Sequence, residues 1–496
     1  MIGNRRFVAG ALALCWLLCL CAALTSEVNR DEHMYQAAAA LLAHERLYAD
    51  YAFLQPPYAV WIYAGVQELT PGDRVLLGAR LFKALVAAGL LVALFRLLRR
   101  LASDPVLAAL LVALLVHDSV VRGMVGLARN YDLAQLAILG ALLLLPLRRT
   151  DPQGRLRLVL AGTLAGAAVG CKLTYAPLAL AAVGWPLVAP ACFVAGRRAL
   201  AWTAIGCVAG LLPLGGACLG VDPAVLRFNL LDYHLLNGTW HVRAGAGEGL
   251  DLAGRVHDAR RLYRDTDHAA LAVLTLVAAA LTGWRGRPRG DSGGRLGWLL
   301  VAAGVVMVAV PSPVQPAYYA PLLVGAAAVA ASCAARLAGG ARRALGMVAA
   351  AACLVAVAHH GAADLRLLRA AARPAAWPVA RLHEAGEALA ALTADRPDQP
   401  IATTHPLYAL AAGRPLESAF ATGEFAWRVG DLVDDEAQRR FRLVSPRTLP
   451  ALIAERPPAA IVVEAAAPWD GPLVDAARAR GWRRAALAPG VDAWLP

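Results

Sequence analysis

The stretch Asn29-Arg30-Asp31-Glu32-His33-Met34-Tyr35 places two adjacent carboxylates just after residues 7–25, an apolar segment long enough to cross a bilayer. A run rich in aromatic residues and proline follows, Tyr48-Ala49-Asp50-Tyr51-Ala52-Phe53-Leu54-Gln55-Pro56-Pro57-Tyr58. Ionisable side chains at a membrane are costly and are usually retained for a function. The acidic loop therefore predicts a functional site beside the first membrane span.

The composition predicts a polytopic membrane protein. The 496 residues are 59% hydrophobic, and their mean hydropathy of +0.53 exceeds that of soluble domains. The formal charge of +13 does not indicate nucleic-acid binding, because the arginines lie at the ends of apolar runs rather than on one amphipathic face. The nine cysteines lie in or beside apolar runs with no CxxC pair, so neither a disulfide framework nor a zinc site is indicated.

About eleven apolar stretches are long enough to cross the ~30 Å hydrocarbon core as helices. They are 7–25, 78–97, 104–121, 131–147, 157–174, 175–194, 201–219, 268–284, 296–312, 319–337 and 344–359. Arg5 and Arg6 precede the first span, which predicts a cytoplasmic N-terminus and a retained anchor. Alternate connections carry further basic clusters, which are predicted to be cytoplasmic: Arg96, Arg99 and Arg100; Arg148, Arg149, Arg155 and Arg157; Arg197 and Arg198; Arg285, Arg287, Arg289 and Arg295; Arg336, Arg342 and Arg343.

A change in composition near residue 360 predicts two domains, a transmembrane catalytic domain at 1–360 and a periplasmic α/β domain at 361–496. The second segment has helical periodicity at Arg381–Leu392 and Asp475–Arg480, with strand-like runs at Gln399–Thr403 and Ala459–Glu464. It contains no phosphate-binding glycine loop and no nucleophile elbow. We expect it to be a lid or an acceptor-docking module.

Polar residues in the membrane half collect at the predicted outer ends of the spans. A transporter would place such groups near the midplane, within broken helices, so the one-sided placement favours an enzyme at the outer interface. The connection 220–267 is predicted to form interfacial helices beside a lateral entrance for a lipid. A flippase or transporter for a lipid-linked sugar is the alternative function, and a membrane-anchored scaffold is a third.

The order of the acidic pair, the aromatic-proline loop, Arg129-Asn130-Tyr131-Asp132 and Gly170-Cys171-Lys172-Leu173-Thr174 resembles the GT-C glycosyltransferases. The resemblance is closest to the branch of protein O-mannosyltransferases and bacterial lipid A aminoarabinose transferases, over roughly residues 1–330. It implies inverting transfer of a sugar from a polyprenyl-phosphate donor to an envelope acceptor (glycolipid, polysaccharide or protein). The expected location is the periplasmic face of a bacterial inner membrane.

The resemblance implies that Asp31 is the general base, with Glu32 orienting it or bracing the loop. Asp132 matches the family's second carboxylate, which would hold Arg129 or contact the acceptor. A phosphate leaving group already has a low pKa, so its departure needs cations rather than an acid. The candidates for phosphate binding are Arg80, Arg129 and Lys172, and those for other substrate contacts are Gln55, Tyr58, Tyr318 and Tyr319.

One position departs from the family pattern. The aminoarabinose branch carries a lysine directly before its Pro-Pro pair, where this chain has Gln55. A neutral amide cannot replace that charge. We therefore expect other residues to bind the donor phosphate, and aminoarabinose is not favoured as the sugar.

The candidates also have structural explanations: helix capping for the acidic pair, an i,i+3 ion pair for Arg129 with Asp132, snorkelling for the lysines and interfacial anchoring for the tyrosines. No cofactor or metal is predicted. A divalent metal at His33, His117 and Asp118 is a less favoured alternative, because their spacing is unspecific.

Overall fold

The computed structural model describes residues 2–70, 72–245, 250–264, 269–283, 292–311 and 313–496. The basic residues Arg285, Arg287 and Arg289 lie outside the described residues. The rest of the chain is mainly helical, with one small sheet near the C-terminus, so the predicted fold class is confirmed.

The first eighteen α-helices form the membrane half. They are α1 (Ile2–Thr25), α2 (Arg30–Leu41), α3 (Tyr58–Glu68), α4 (Val75–Ala102), α5 (Pro105–His117), α6 (Ser119–Val125), α7 (Tyr131–Leu144), α8 (Arg155–Cys171), α9 (Ala176–Val183), α10 (Trp185–Val188), α11 (Gly196–Ala217), α12 (Pro223–Arg227), α13 (Tyr233–Arg243), α14 (Leu252–Arg264), α15 (Ala269–Gly283), α16 (Ser292–Ala309), α17 (Ala320–Arg336) and α18 (Gly339–Ala371). A π-helical turn at Phe228–Asp232 joins α12 to α13.

Six helices in the described residues are long and apolar enough to span a membrane, and the bent pair α5–α6 makes a seventh if it is one span. Shorter apolar helices at Tyr131–Leu144, Leu173–Val183 and Leu271–Ala280 fall on further predicted spans. The chain is thus a multi-pass membrane protein. The number eleven and the orientation of the termini stay predictions.

Two predicted spans are not continuous helices. The axes of α5 and α6 differ by 78° at Asp118, whose extended backbone ends α5 while its carboxylate accepts a hydrogen bond from the Val120 amide at 2.9 Å and caps α6. The predicted span 175–194 is divided into α9 and α10 at Gly184.

Glycines let α8 approach α11 closely. A Cβ at Gly162 would collide with the backbone carbonyl of Thr203, and one at Gly206 would collide with that of Val159. This backbone-to-backbone packing of small residues is typical of membrane helices. It fixes the end of α8, from which Lys172 projects.

The C-terminal part combines six helices with a four-stranded sheet. These are α19 (Pro378–Leu392), α20 (Leu407–Ala411), α21 (Glu424–Gly430), α22 (Asp435–Arg440), α23 (Leu449–Glu455) and α24 (Gly471–Ala479), with β1 (Ile401–Ala402), β2 (Ala460–Glu464), β3 (Arg483–Ala488) and β4 (Val491–Leu495). The strand order is β1-β2-β4-β3. The β1–β2 pair is parallel and the other pairs are antiparallel.

The helices and strands predicted in this segment are confirmed as α19, α24, β1 and β2, whereas the four helices α20 to α23 and the strands β3 and β4 were missed. The predicted domain boundary at residue 360 falls inside α18, which continues to Ala371, so the boundary stays a prediction.

Candidate active site

A cavity of about 460 Å³ lies between the membrane helices and the C-terminal part. This volume is within the ~300–1,000 Å³ range of small-molecule sites. Its walls come from the start of α2, the loop before α3, the start of α7, the loop after α8, α13 and α21. The charged and hydrogen-bonding side chains among its lining residues are Asn29, Arg30, Asp31, Tyr35, Gln55, Arg129, Tyr131, Lys172, Thr174, Tyr233, His234, Asn237, Arg255, Gln315, Tyr318 and Arg428.

Asp31 faces this cavity because other residues cap its helix. The Asn29 side chain accepts a hydrogen bond from the Asp31 amide at 3.0 Å, and Glu32 accepts one from the Asn29 amide at 2.9 Å. This capping box starts α2 at Arg30. The Asp31 side chain is 21% exposed, and Oδ2 lies 3.3 Å from Arg129 Nη1.

Arg129 is held firmly but has hydrogen-bonding capacity left. Tyr63 and Lys83 donate hydrogen bonds to its backbone carbonyl, at 2.6 Å and 3.0 Å. Its guanidinium donates to Asp31 and, at 2.8 Å, to the Gly123 carbonyl. Nε has no hydrogen-bond partner among the described residues. The group can therefore still bind an anion.

Lys172 has only weak partners. Its Nζ lies 4.1 Å from the ring centroid of Tyr131, 5.8 Å from that of Tyr318 and 3.4 Å from Gln55 Oε1. No carboxylate within the described ranges pairs with it. Asn130 donates to the Cys171 carbonyl at 2.8 Å and so holds the loops of Arg129 and Lys172 together. Lys172 lines the cavity and is 4% exposed, so its ammonium is available to a phosphate that enters there.

Glu32 and Arg80 lie behind the cavity wall, fully buried and paired with each other. Arg80 donates through Nε and Nη2 to the two Glu32 oxygens at 2.9 Å and 2.8 Å. Glu32 also accepts from the Ala128 amide at 2.8 Å, and Arg80 donates to the carbonyls of Ser26 and Glu27. The structure does not bring this pair into the cavity, so the roles predicted for both residues stay predictions.

Asp132 and Lys83 form a second fully buried ion pair behind the wall. Asp132 Oδ1 also accepts from the Leu133 amide at 2.8 Å, while Oδ2 has no hydrogen-bond partner in the described part of the chain. Lys83 is completely buried and does not snorkel. The Asp132 carboxylate is not among the cavity's lining residues.

The four other candidates divide equally. Gln55 and Tyr318 line the cavity, whereas Tyr58 and Tyr319 do not. The Tyr58 hydroxyl donates to the Gly210 carbonyl at 2.6 Å, which ties α3 to α11. The Tyr319 hydroxyl donates to the carbonyl of Ala259. These two contacts are structural, and a substrate contact at either residue stays a prediction.

Comparisons with known proteins agree with this fold. Residues 54–214 match the sequence model of the family described as dolichyl-phosphate-mannose-protein mannosyltransferase. The crystal structure of ArnT from Cupriavidus metallidurans bound to undecaprenyl phosphate is similar over 99% of this chain and 98% of that one, at 16% identity and a TM-score of 0.61. The chain therefore has the fold of this ArnT, and its residues 54–214 match the family model.

The apo crystal structure of the same ArnT covers the same shares at 15% identity and a TM-score of 0.63. A search of curated proteins found no match. The predicted resemblance to GT-C enzymes is thus confirmed. The family match begins after Asp31 but includes Arg129, Asp132 and Lys172.

The C-terminal part of the chain closes the cavity. The Glu424 carboxylate pairs with Arg30 at 3.2 Å and with Arg428 at 2.9 Å. Burial raises the pKa of Glu424 above its usual value, although both arginines act against this. Arg428 and Phe425 form part of the cavity wall. Sequence analysis missed them, because Glu424 and Arg428 at i,i+4 read as an ordinary helix pair.

His234 on α13 adds an uncharged polar group to the cavity. Burial lowers its pKa to about 4, and the nearby Lys172 charge acts in the same direction. The imidazole is therefore neutral at physiological pH. It can exchange hydrogen bonds with a sugar but adds no charge for a phosphate.

His33 and His117, two residues of the less favoured metal alternative, face different partners. His33 lies near His405 and Glu464, with one ligand atom from each within 4.8 Å of the others, whereas His117 faces Asp364. His33 Nδ1 accepts from the Leu407 amide at 3.2 Å. The two His405 nitrogens face Glu464 and Asp470, at 3.6 Å and 3.1 Å. One nitrogen of His33 and one of His405 are therefore already engaged in hydrogen bonds within the protein.

Proposed function

We propose that this protein is a GT-C glycosyltransferase, which moves a sugar from a polyprenyl-phosphate donor to an acceptor of the bacterial cell envelope with inversion at the anomeric carbon. One observation carries the proposal. The cavity gathers Asp31, Arg129 and Lys172, and both cations keep the capacity to bind an anion. A carboxylate opposite two cations is what transfer from a phosphate requires.

The cations act on the leaving group. Lys172 and Arg129 bind the donor phosphate, which takes the electron pair of the breaking bond between the anomeric carbon and its oxygen. Preorganised cations stabilise that developing charge in a site that excludes water. Gln55 and Tyr318, which contact Lys172, hold the ammonium in position.

Asp31 acts on the acceptor. The acceptor oxygen attacks the anomeric carbon from the face opposite the phosphate, and its proton passes to the Asp31 carboxylate. One displacement of this kind inverts the configuration. Positioned proton transfer of this type contributes about 10²–10⁴-fold to the rate. The proposed reaction uses neither a cofactor nor a metal ion.

Two observations support the class of donor. The similar ArnT structure holds undecaprenyl phosphate, and the cavity here lies where membrane helices meet a polar domain. Lys172 Nζ reaches Gln55 Oε1, so the ammonium stands next to the position where the aminoarabinose branch carries its lysine. We therefore propose that the Lys172 ammonium binds the donor phosphate, and we assign no identity to the sugar.

The buried pairs have a positioning role in this proposal. Glu32 binds the Asn29 and Ala128 amides while it is paired with Arg80, which fixes the loops before Asp31 and Arg129. Asp132 holds Lys83, which in turn donates to the Arg129 carbonyl. We place the cavity and the C-terminal part in the periplasm, with the N-terminus in the cytoplasm. The described geometry does not favour the flippase alternative, because the cavity charges lie at one end of the helices.

The test is transfer in a defined system. Purified protein in nanodiscs is supplied with a polyprenyl-phosphate sugar and an envelope acceptor fraction, and released polyprenyl phosphate and product are measured by mass spectrometry. We expect Asp31-dependent release of polyprenyl phosphate and a product of inverted anomeric configuration by NMR. A retained configuration, or no consumption of any donor tested, would overturn the proposal. Envelope glycans of a deletion strain would identify the sugar and the acceptor.

A further inference from the structure

A second, smaller cavity adjoins the active site on the side of the C-terminal part. It has a volume of about 280 Å³, close to the ~300 Å³ lower end of small-molecule sites. Three tryptophans, three prolines, Arg428 and Asp431 line it: Trp240, Trp427, Trp469, Pro446, Pro468 and Pro472 are the apolar members. We call it the tryptophan pocket.

The tryptophan pocket is joined to the catalytic cavity by a shared wall. Arg428 lines both cavities. Its guanidinium lies 4.5 Å from the ring centroid of Trp240 and donates to Asn237 Oδ1 at 3.3 Å. A ligand in the tryptophan pocket is therefore one side chain away from a substrate in the active site.

The walls of the pocket are preorganised. Trp427 is buried, and its indole N–H donates to the backbone carbonyl of Trp469 at 3.0 Å. The indole N–H of Trp469 itself has no hydrogen-bond partner among the described residues. A buried indole N–H usually finds an acceptor. Asp431 is exposed and contributes a carboxylate at the rim.

These features suit one class of ligand. Indole and proline surfaces pack against the C–H faces of a pyranose ring, while its hydroxyls exchange hydrogen bonds with a carboxylate, a guanidinium or an indole N–H. The small volume favours a single ring over an extended chain.

We infer that the tryptophan pocket binds one sugar ring of the acceptor, so that the acceptor is a glycan or glycolipid rather than a protein. Only the identification of the bound sugar as part of the acceptor rests on the proposed function. Binding of a saccharide at this place is a separate property of the chain and is measurable without transfer.

The binding experiment uses saturation-transfer NMR on the full-length protein in a zwitterionic detergent, because sugar-based detergents would compete. The probes are methyl glycosides and disaccharides of glucose, mannose, glucosamine and N-acetylglucosamine. We expect transfer to at least one probe, and its loss in Trp469→Ala and reduction in Asp431→Ala. Trp482→Ala is the matched control, since Trp482 and Trp469 pack against the same core and Trp482 does not line the pocket.

Kinetics provide the second measurement. If the pocket holds the acceptor, Trp469→Ala should raise the acceptor KM about 3- to 10-fold and leave the donor KM unchanged. The inference fails if no probe binds in a Trp469-dependent way, or if Trp482→Ala has the same effect. Trp469-dependent binding in a protein without transfer activity would support the pocket and overturn the proposed function alone.

Discussion

Charged side chains that are close neighbours in the sequence have opposite surroundings in this protein. Asp31, Arg129 and Lys172 form a cavity face, partly exposed or weakly paired. Glu32, Arg80, Asp132 and Lys83 form a buried layer, in which every side chain has zero exposure and an opposite charge as its partner. Glu32 directly follows Asp31, yet only Asp31 reaches the cavity.

This difference indicates that the cavity face contacts the substrates, whereas the buried layer holds the cavity face in position. A buried charge that is paired within the protein cannot bind a substrate without losing its partner, and the free-energy cost of that loss is large. The buried layer therefore fixes where the cavity face stands, and the cavity face is free to act. Substitutions in the two sets should affect different measurements.

The largest expected effect is on catalysis at Asp31. Asp31→Asn keeps the shape of the side chain but removes the base, so we expect the transfer rate to fall about 10²- to 10⁴-fold. Donor binding and the thermal midpoint should stay near wild type, because Asn29 and Glu32 form the cap of α2. The assay is release of polyprenyl phosphate, with differential scanning fluorimetry beside it. Full activity of the Asp31→Asn protein would show that Asp31 is not the general base.

The next effect is on folding at Glu32. Glu32→Gln leaves Arg80 buried without its carboxylate, which costs about 3–5 kcal/mol of the free energy of unfolding. We expect a clear fall in the thermal midpoint and a lower yield of monodisperse protein. Equal stability of Glu32→Gln and wild type would contradict the division into a cavity face and a buried layer.

A smaller effect is expected on donor binding, which should depend on Lys172 but not on Lys83. Lys172→Met removes a charge-assisted contact to the donor phosphate, worth about 1.5–3 kcal/mol, so the Kd for polyprenyl phosphate should rise about 10- to 100-fold. Lys83→Met is the matched variant, and it should mainly lower the thermal midpoint because Asp132 stays buried without its partner. Binding is measured by native mass spectrometry in nanodiscs. If the Kd of Lys172→Met for polyprenyl phosphate equals that of wild type, Lys172 does not bind the donor phosphate.

The smallest effect concerns pH. Burial acts to lower the pKa of His405, but its hydrogen bond to Asp470 and the charges of Glu464 and Asp470 raise that pKa above the usual 6.5. A raised histidine pKa gives stability that is present below pH 6.5 and lost as the pH rises through the folded-state pKa. The neighbouring His33 stays neutral in this range, because burial lowers its pKa well below 6.5.

We therefore expect the thermal midpoint of wild type to fall between pH 6.5 and 8.5, and that of His405→Gln to vary less. The measurement is fluorimetry over this pH series. A midpoint with the same pH profile in both proteins would assign the dependence to other groups.

The cavity face was accessible to sequence reasoning because of its setting. Asp31, Arg129 and Lys172 are ionisable groups at the ends of apolar runs, where retention implies a use. The same reasoning could not separate Asp31 from Glu32 or Lys172 from Lys83. That separation depends on contacts across long sequence distances, such as the Glu32–Arg80 pair and the amide of Ala128.

Other features were hidden for different physical reasons. The break at Asp118 follows from one carboxylate capping α6, a local event within an otherwise apolar run. The strand β3 consists of two arginines, three alanines and one leucine with little exposed-to-buried alternation, so its sequence shows no strand pattern. The contribution of α21 to the cavity depends on how the C-terminal part packs against α2 and α13.

The bond between Glu424 and Arg30 has a consequence for biosynthesis. Arg30 directly precedes Asp31, and its carboxylate partner is made almost four hundred residues later, at a separation of 394. A ribosome-bound chain can insert its helices and form the acidic loop well before that partner exists. The centre is complete only when the last part of the chain has emerged and folded, so a prematurely terminated protein would occupy the membrane without being a competent enzyme.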